Sequence, residues 1–489
     1  MINIHIFIFR RDLRVDDNLA LLALLNKSHK SEDKILPIFI FNTKQIDPKQ
    51  NSYFNKNSVE FMIQSLDSLN NDLENRLSFF ETETDDIEVL EKLNILINKT
   101  RPKQKLSSVS FNTDFTPFSI KRDEQIKSWC KTNDIEVITR EDYTLLPMNS
   151  ILTGAGTYFS VFTPFYKKFL TLNKTVSQST PINIRELKEL LVSKSIGTIK
   201  SNTIHKYYNN NSNKDMYVKG GRMNGQNILK NIKSGMYSNY DKERDYPFMD
   251  KTTKLSAYLK FGCISIREAY EALTETYGIN HGLVRELVWR EFYACITFNK
   301  PRVLEGQIGK QNLPFREKYD NFQWENDNQN WKKFVEGKTG FPFIDAGIRM
   351  LYVTGFCPNR LRMIVAMFAI KDLLINPVVF ERWFAKNLVD YDPSSNSGGT
   401  LWCSGTGCDA NPYFRVFSPT LQTQRYDEDA IFIKRWIPEL QTVPTKDIVN
   451  WEKSFRKYSD TINYPAPIVN HTERAKNIIE KFKNYNKNN

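Results

Sequence analysis

The sequence predicts an α/β N-terminal domain with a five-stranded parallel sheet, Rossmann-like in layout, followed by an all-α C-terminal domain. Three observations predict it. Short β-branched apolar runs alternate with helical spacing through the first 140 residues. Strands separated by helices need right-handed crossovers, and so a parallel sheet with helices on both faces. Beyond residue 226 the pattern is helical, punctuated by Gly and Pro, and β alternation almost disappears.

The elements follow in order. Residues 4–9 are a first strand, and Asp16, Asp17 and Asn18 offer N-caps for a helix over 19–25. Residues 35–41 are a second buried strand, whose Pro37 suits a strand start better than a centre. Helical spacing at 59–73 precedes a third strand at 77–80, and a helix at 87–97 precedes a fourth at 109–111. A helix at 118–129 and a strand at 135–138 complete the unit. The domains are then 1–140, an irregular connector 141–225, the helical domain 226–480 and a polar tail 481–489. Within the connector, 206–214 reads as a solvated loop.

At 489 residues and 57.3 kDa, the chain is long enough for several cores. Hydrophobic residues at 40% and charged residues at 25% describe an ordinary soluble protein. A monomer is expected, in the cytoplasm or, in a eukaryotic host, the nucleus. No apolar run is long enough to span a membrane, and the arginines after the first strand are the reverse of a secretory signal. Six cysteines make no disulfide framework. The net charge of +12 permits a polyanionic partner without requiring one.

Common catalytic patterns are missing. No G-x-G-x-x-G follows any strand, which argues against a dinucleotide bound in the usual way. Gly337-Lys338-Thr339 looks like the end of a phosphate loop, but the earlier glycine is absent. There is no H-E-x-x-H or G-x-S-x-G, and the five histidines are scattered, so no metal is expected.

The strongest signal lies in residues 338–440. Lys338-Thr339-Gly340-Phe341-Pro342, Ile344-Asp345-Ala346-Gly347, Asn359-Arg360-Leu361-Arg362-Met363, Asp390-Tyr391-Asp392, Asn396-Ser397-Gly398-Gly399, Trp402 and Pro412-Tyr413-Phe414-Arg415 occur in that order. Upstream lie Phe9-Arg10-Arg11-Asp12-Leu13-Arg14, Phe162-Thr163-Pro164-Phe165, Thr252-Thr253-Lys254-Leu255-Ser256 and 286–293. Together these resemble the photolyase/cryptochrome family over essentially the whole chain, most of all its class I-like cyclobutane pyrimidine dimer DNA photolyases.

The resemblance implies a helical domain that binds reduced FAD, one per chain. Tyr240, Thr252, Thr253, Lys254, Leu255 and Ser256 match its phosphate side. Arg362 and Asp390 match an ion pair beside the isoalloxazine, Tyr391 and Asp392 line the site, and Asn396 matches the residue at flavin N5. The implied partner is DNA containing pyrimidine dimers. A dimer must leave the stack to reach a buried flavin, because an enzyme that acts on a base cannot reach it inside the duplex. Trp289 and Trp402 match its aromatic walls, Glu286 an acid to its carbonyls, and Met363 and Asn359 further contacts. Arg244, Arg290, Arg360, Arg415 and Gln422 match DNA contacts, the arginines by bidentate phosphate binding. The implied reaction is light-driven: an electron passes from excited FADH⁻ to the dimer, two C–C bonds split, and the electron returns.

Two departures stand out. Trp324 matches the surface end of a tryptophan relay, but the inner positions are Pro377 and Thr400, which cannot carry an electron. Trp383 and nearby tyrosines are candidates for another path. A carboxylate that would hold a folate antenna falls near Thr116. Folate, a deazaflavin, a flavin or no antenna all stay open. A DASH-type enzyme acting on single strands, and a cryptochrome photoreceptor without repair, are the alternative functions.

Overall fold

The computed structural model describes residues 2–28, 32–100, 103–208, 213–308, 312–325, 327–409 and 411–488. Five strands form one sheet: β1 (Ile2–Ile8), β2 (Asp33–Asn42), β3 (Ser78–Thr82), β4 (Gln104–Thr113) and β5 (Glu136–Glu141). Their order is β3-β2-β1-β4-β5 and every pairing is parallel. Helices Leu19–Lys27, Lys56–Asp72, Asp86–Lys99 and Pro117–Thr132 make the crossovers. The first starts at Asn18, whose side chain accepts the Leu21 N–H, as a capping residue should.

Each strand is longer than its apolar run, because pairing extends a strand into polar residues that hydrophobicity does not mark. Pro37 is a correction. It sits mid-strand, opposite Phe7 of β1, although a strand start was expected. β2 meets β3 only from Ile38 onward, so the N–H that Pro37 lacks is not missed by a neighbouring strand.

The connector is also more ordered than its sequence suggests. It holds helices Phe162–Leu172 and Ile184–Leu190 and a 3-10 helix Ser201–Tyr207. Phe162, Phe165 and Phe169 bury one face of the first. Of the expected loop 206–214, residues 209–212 lie outside the described residues. The polar tail 481–489 is a second correction. Helix His471–Asn488 runs through it, and fully buried Ile478 and Phe482 anchor that helix, with Phe482 stacked on Phe322 at 4.3 Å. Two apolar side chains one turn apart decide the matter against a polar average.

The sheet order reverses between β1 and β4. A crevice forms at such a switch point, beyond the carboxyl ends of the strands. The helical domain closes over it. Asn55 donates to the carbonyls of Ala385 (3.0 Å) and Leu388 (2.9 Å) across the junction. Arg14 and Asp142 meet at 2.5 Å, and Arg267 of the helical domain reaches Asp17 at 2.9 Å and also pairs with Asp142. Among the described residues no helix is long and apolar enough to cross a membrane. The six cysteines are buried and unbridged, and no cluster suited to a metal ion occurs among the described residues.

Candidate active site

Three helices carry the site. Helix Gly282–Asn299 is capped by His281, which accepts the Leu283 N–H. On it, Glu286, Trp289 and Tyr293 are spaced by three and four and so share one face. Helix Asn359–Met367 places Asn359 and Met363 one turn apart, with the Asn359 amide 3.8 Å from the Met363 sulfur. Helix Pro393–Ser404 starts with Asp392 as N-cap and Pro393 in the first turn, and carries Asn396, Thr400 and Trp402. It lies close against the first helix: a Cβ on Gly398 would fall 2.2 Å from the Tyr293 ring. Glycine is required there by proximity.

Two ion pairs hold arginines expected at the DNA. Arg244 forms an ion pair with Glu286 and packs over the Tyr240 ring at 5.4 Å. Arg360 pairs with Asp245 at 2.6 Å and lies over Tyr426 at 4.9 Å. Tyr426 shares a helix face with Gln422, whose Oε1 is buried without a partner among the described residues. Arg415 is exposed, next to Phe414 with 61% of its surface open. Burial pushes the Glu286 carboxyl above its ordinary range, against the opposing charge of Arg244.

Trp289 has a neighbour that the sequence did not mark for this role. Phe162 lies parallel to it, with centroids 3.5 Å apart and planes within 7°. Asp409 accepts the Phe162 N–H at 3.2 Å, which ties the two segments together. Phe162 thus covers one face of the indole and holds its tilt. Phe162→Ala is expected to lower the preference for dimer-containing over undamaged DNA about tenfold, the scale of one lost stacking contact. Phe162→Tyr should restore it. Competition binding with matched duplexes measures both.

Arg290 is placed elsewhere. It donates to the Tyr143 carbonyl at 2.5 Å and lies over the Tyr143 ring at 3.5 Å, facing the crevice rather than joining Arg244 and Arg360. Its helical position, one residue past Trp289, turns it to the other side. Asp392 is turned the same way. Besides capping its helix, it accepts Arg11 at 2.5 Å and the Tyr143 hydroxyl at 2.8 Å. Burial alone would raise its pKa, but Arg11 and Arg290 outweigh burial and hold it well below the usual carboxylate range.

Three of the residues expected at the flavin meet. Arg362 donates to both Asp390 oxygens at 3.0 and 2.8 Å, and Ser256 Oγ donates to Asp390 at 2.6 Å. This joins the 252–256 segment to the Arg362–Asp390 pair. Lys254 takes a left-handed backbone conformation and pairs with Asp250 at 2.8 Å. Thr252 Oγ1 is buried with no partner among the described residues. A buried hydroxyl without a partner is costly, and a phosphate oxygen would supply one. Asn396 gives its Nδ2 to the Glu381 carbonyl (3.2 Å) and carboxyl (2.9 Å). These residues fit FAD.

The inner relay positions serve structure. Pro377 opens helix Pro377–Asn387, and Thr400 is buried in helix Pro393–Ser404. Trp324 packs on Phe322 at 4.7 Å. Trp383 donates from Nε1 to the Tyr352 hydroxyl at 3.0 Å and meets Trp331 edge-on at 6.1 Å. Tyr352 is 41% exposed, so this second aromatic group reaches the surface.

Between the domains lies a cavity of about 730 Å³ at the switch point. Phe9, Phe41 and Tyr391 line it with Arg11, Lys121 and Lys260. Burial and the charge of Arg11 bring the Lys260 ammonium down to about 7. Thr116 also lines it, and its hydroxyl caps helix Pro117–Thr132 through Ser119.

Comparison places this geometry in a class. The family model described as the FAD binding domain of DNA photolyase matches residues 283–484, and the model described as DNA photolyase matches residues 5–182. The chain is 34% identical to a deoxyribodipyrimidine photo-lyase of Alkalihalophilus pseudofirmus, with 97% of each chain covered. It is 30% identical to the Escherichia coli enzyme of that name, with 96% of each covered. The solved archaeal photolyase of Sulfolobus tokodaii, described with two FAD molecules, is 33% identical with a TM-score of 0.79, covering 98% of this chain and 100% of its own. The chain belongs to the deoxyribodipyrimidine photo-lyase family.

Proposed function

We propose that this chain repairs cyclobutane pyrimidine dimers in DNA under light, as a monomer with reduced FAD in the helical domain. The observation that supports this reading is that helix Pro393–Ser404 packs against both helix Gly282–Asn299 and helix Asn359–Met367, so two sets of residues on these helices or paired to them lie on neighbouring elements. Glu286, Arg244 and Trp289 offer a lesion pocket, and Arg362, Asp390 and Asn396 a flavin pocket. Reduced FAD supplies the light-driven electron when bound. The protein contributes the remainder. Thr252 and Ser256 hold the phosphate side, and Arg362 with Asp390 places a fixed charge pair beside the ring. Trp289 and Trp402 stack the flipped bases. Arg244, Arg360 and Arg415 meet phosphates, so affinity falls as salt rises.

Glu286 donates a proton-bearing oxygen to the dimer carbonyls and stabilises charge arriving there. Only the neutral acid can do this, so repair declines as pH rises through its raised pKa. Glu286→Gln keeps a donor and flattens that decline, whereas Glu286→Ala lowers the repair rate about tenfold, one hydrogen bond to a charged group. The assay is recovery of absorbance by a thymine-dimer oligonucleotide under near-UV light, with chemically reduced protein and a dark control. No recovery by flavin-loaded, reduced protein would defeat the proposal.

The cavity between the domains suits a second, light-harvesting chromophore. Its aromatic walls accept a flat ring. Soaking with folate, deazaflavin or flavin, followed by excitation transfer to FAD, selects among them.

A further inference from the structure

Lys371 is a fully buried lysine that the flavin and lesion readings leave unused. It lies in a π-helical turn, Phe368–Asp372, that directly continues helix Asn359–Met367. Its Nζ donates to the Ser404 carbonyl at 2.7 Å and reaches the Tyr413 carbonyl at 3.5 Å. The Phe482 ring of helix His471–Asn488 lies 4.2 Å from that nitrogen. Tyr413 stacks on the same ring, with centroids 5.8 Å apart and planes within 18°.

Burying an amine is costly, and an apolar side chain would fill this space without the cost. What lysine adds is reach and N–H donors. The last carbonyls of a helix have no partner within it. Ser404 is the last residue of the helix that carries Trp402, and Lys371 supplies a donor to its carbonyl. Gly405 ends that helix in the left-handed region, with φ of 86°. Burial brings the Lys371 amine down to about 7. Charged or neutral, it keeps an N–H for each of the two carbonyls.

Each anchor leads to a residue expected at the lesion or its flank. Trp402 stands two residues before Ser404. Between them, Cys403 brings its Sγ to 3.9 Å from the Met363 carbonyl, which ties the helix to Asn359–Met367 a second time. Tyr413 belongs to the turn Pro412–Arg415, closed by the Arg415 N–H on the Pro412 carbonyl at 2.9 Å. Asn411 Nδ2 donates to the Arg415 carbonyl at 3.0 Å and stiffens that turn. Lys371 therefore holds, from the interior, the two segments that present Trp402 and Arg415.

We propose that Lys371 is a positioning residue for lesion recognition, fixing the end of the Trp402 helix and the Pro412–Arg415 turn in one frame beneath Phe482. This rests on the lesion reading above. Lys371 acts through Trp402 and Arg415 and touches no substrate.

The test is a double-mutant cycle on FAD-loaded protein, read as the preference for dimer-containing over undamaged duplex in competition binding. Lys371→Met lowers the preference about tenfold, the scale of a buried carbonyl left without its donor. In the Trp402→Ala background the same substitution lowers it less than about twofold, because the ring it positions is already gone. A merely structural role costs the same in both backgrounds. Phe482→Leu keeps an apolar anchor for the C-terminal helix and lowers the preference about threefold, the scale of one ring contact, again only with Trp402 present. Bound-FAD absorbance and the melting curve show which variants are folded. An unchanged preference in folded Lys371→Met, or in Phe482→Leu where the methionine variant does not fold, would overturn the proposal. So would equal losses with and without Trp402. Wild-type protein with no preference for dimer-containing DNA, or Trp402→Ala with an unchanged preference, would instead defeat the lesion reading, and the proposal with it.

Discussion

Replacing Trp289 and Trp402 together by alanine removes the preference for dimer-containing DNA. Each stacked base is worth about 1–3 kcal/mol, so the double variant loses at least roughly 30-fold in affinity for the flipped dimer. Binding to undamaged duplex changes little, because arginine–phosphate contacts carry it. Trp289 also packs on Phe162 and Tyr293, so part of the loss could come from a disturbed helix. Phenylalanine at both positions separates the two causes: it restores most of the discrimination if stacking is responsible. Competition binding with damaged and undamaged duplexes measures the ratio, and bound-FAD absorbance reports the integrity of the pocket. An unchanged ratio in the alanine pair would remove both tryptophans from the lesion site.

Arg267→Ala has the largest expected effect on stability. Arg267 is 2% exposed and bridges Asp17 and Asp142, and Arg14 contacts both Asp142 and the Asp17 carbonyl. Removing it leaves two buried carboxylates with one cation between them. Breaking such a buried pair costs about 3–5 kcal/mol. The cluster joins the loop after β1 to helix Ile266–Tyr277, so the loss falls on the junction of the domains. Thermal unfolding is expected to begin about 10 °C lower, at roughly 2–4 °C per kcal/mol for a domain of this size. Arg267→Lys recovers little, since one ammonium cannot repeat the forked contacts to Asp17 and Asp142. An unchanged melting curve would show that the cluster only balances its own desolvation.

The parallel sheet was legible because each strand is a compact apolar run between helical spacings. Local chemistry also announced the first helix, since Asn18 caps it. The ion pairs Arg362–Asp390 and Glu286–Arg244 join residues that motif order had singled out. Other features were not legible. Phe162 behind Trp289 and Glu381 behind Asn396 are ordinary core residues until the chain is folded. Nothing in their local sequence says what they touch, since their partners lie 127 and 15 residues away. Arg290 is a converse case: its motif resembles a DNA contact, and the fold places it against Tyr143.

By itself the sequence determined what depends on near neighbours: strand and helix periodicity, caps, the absence of metal and phosphate-loop patterns, and the set of side chains available to flavin and DNA. Only the tertiary structure decided the strand order, the cavity at the switch point, the direction in which Arg290 and Asp392 turn, and the burial of Lys371 beneath Phe482. The physical reason is that hydrogen-bond periodicity is local. Charge, proton affinity and stacking depend instead on what lies within a few ångströms, whichever part of the chain supplies it.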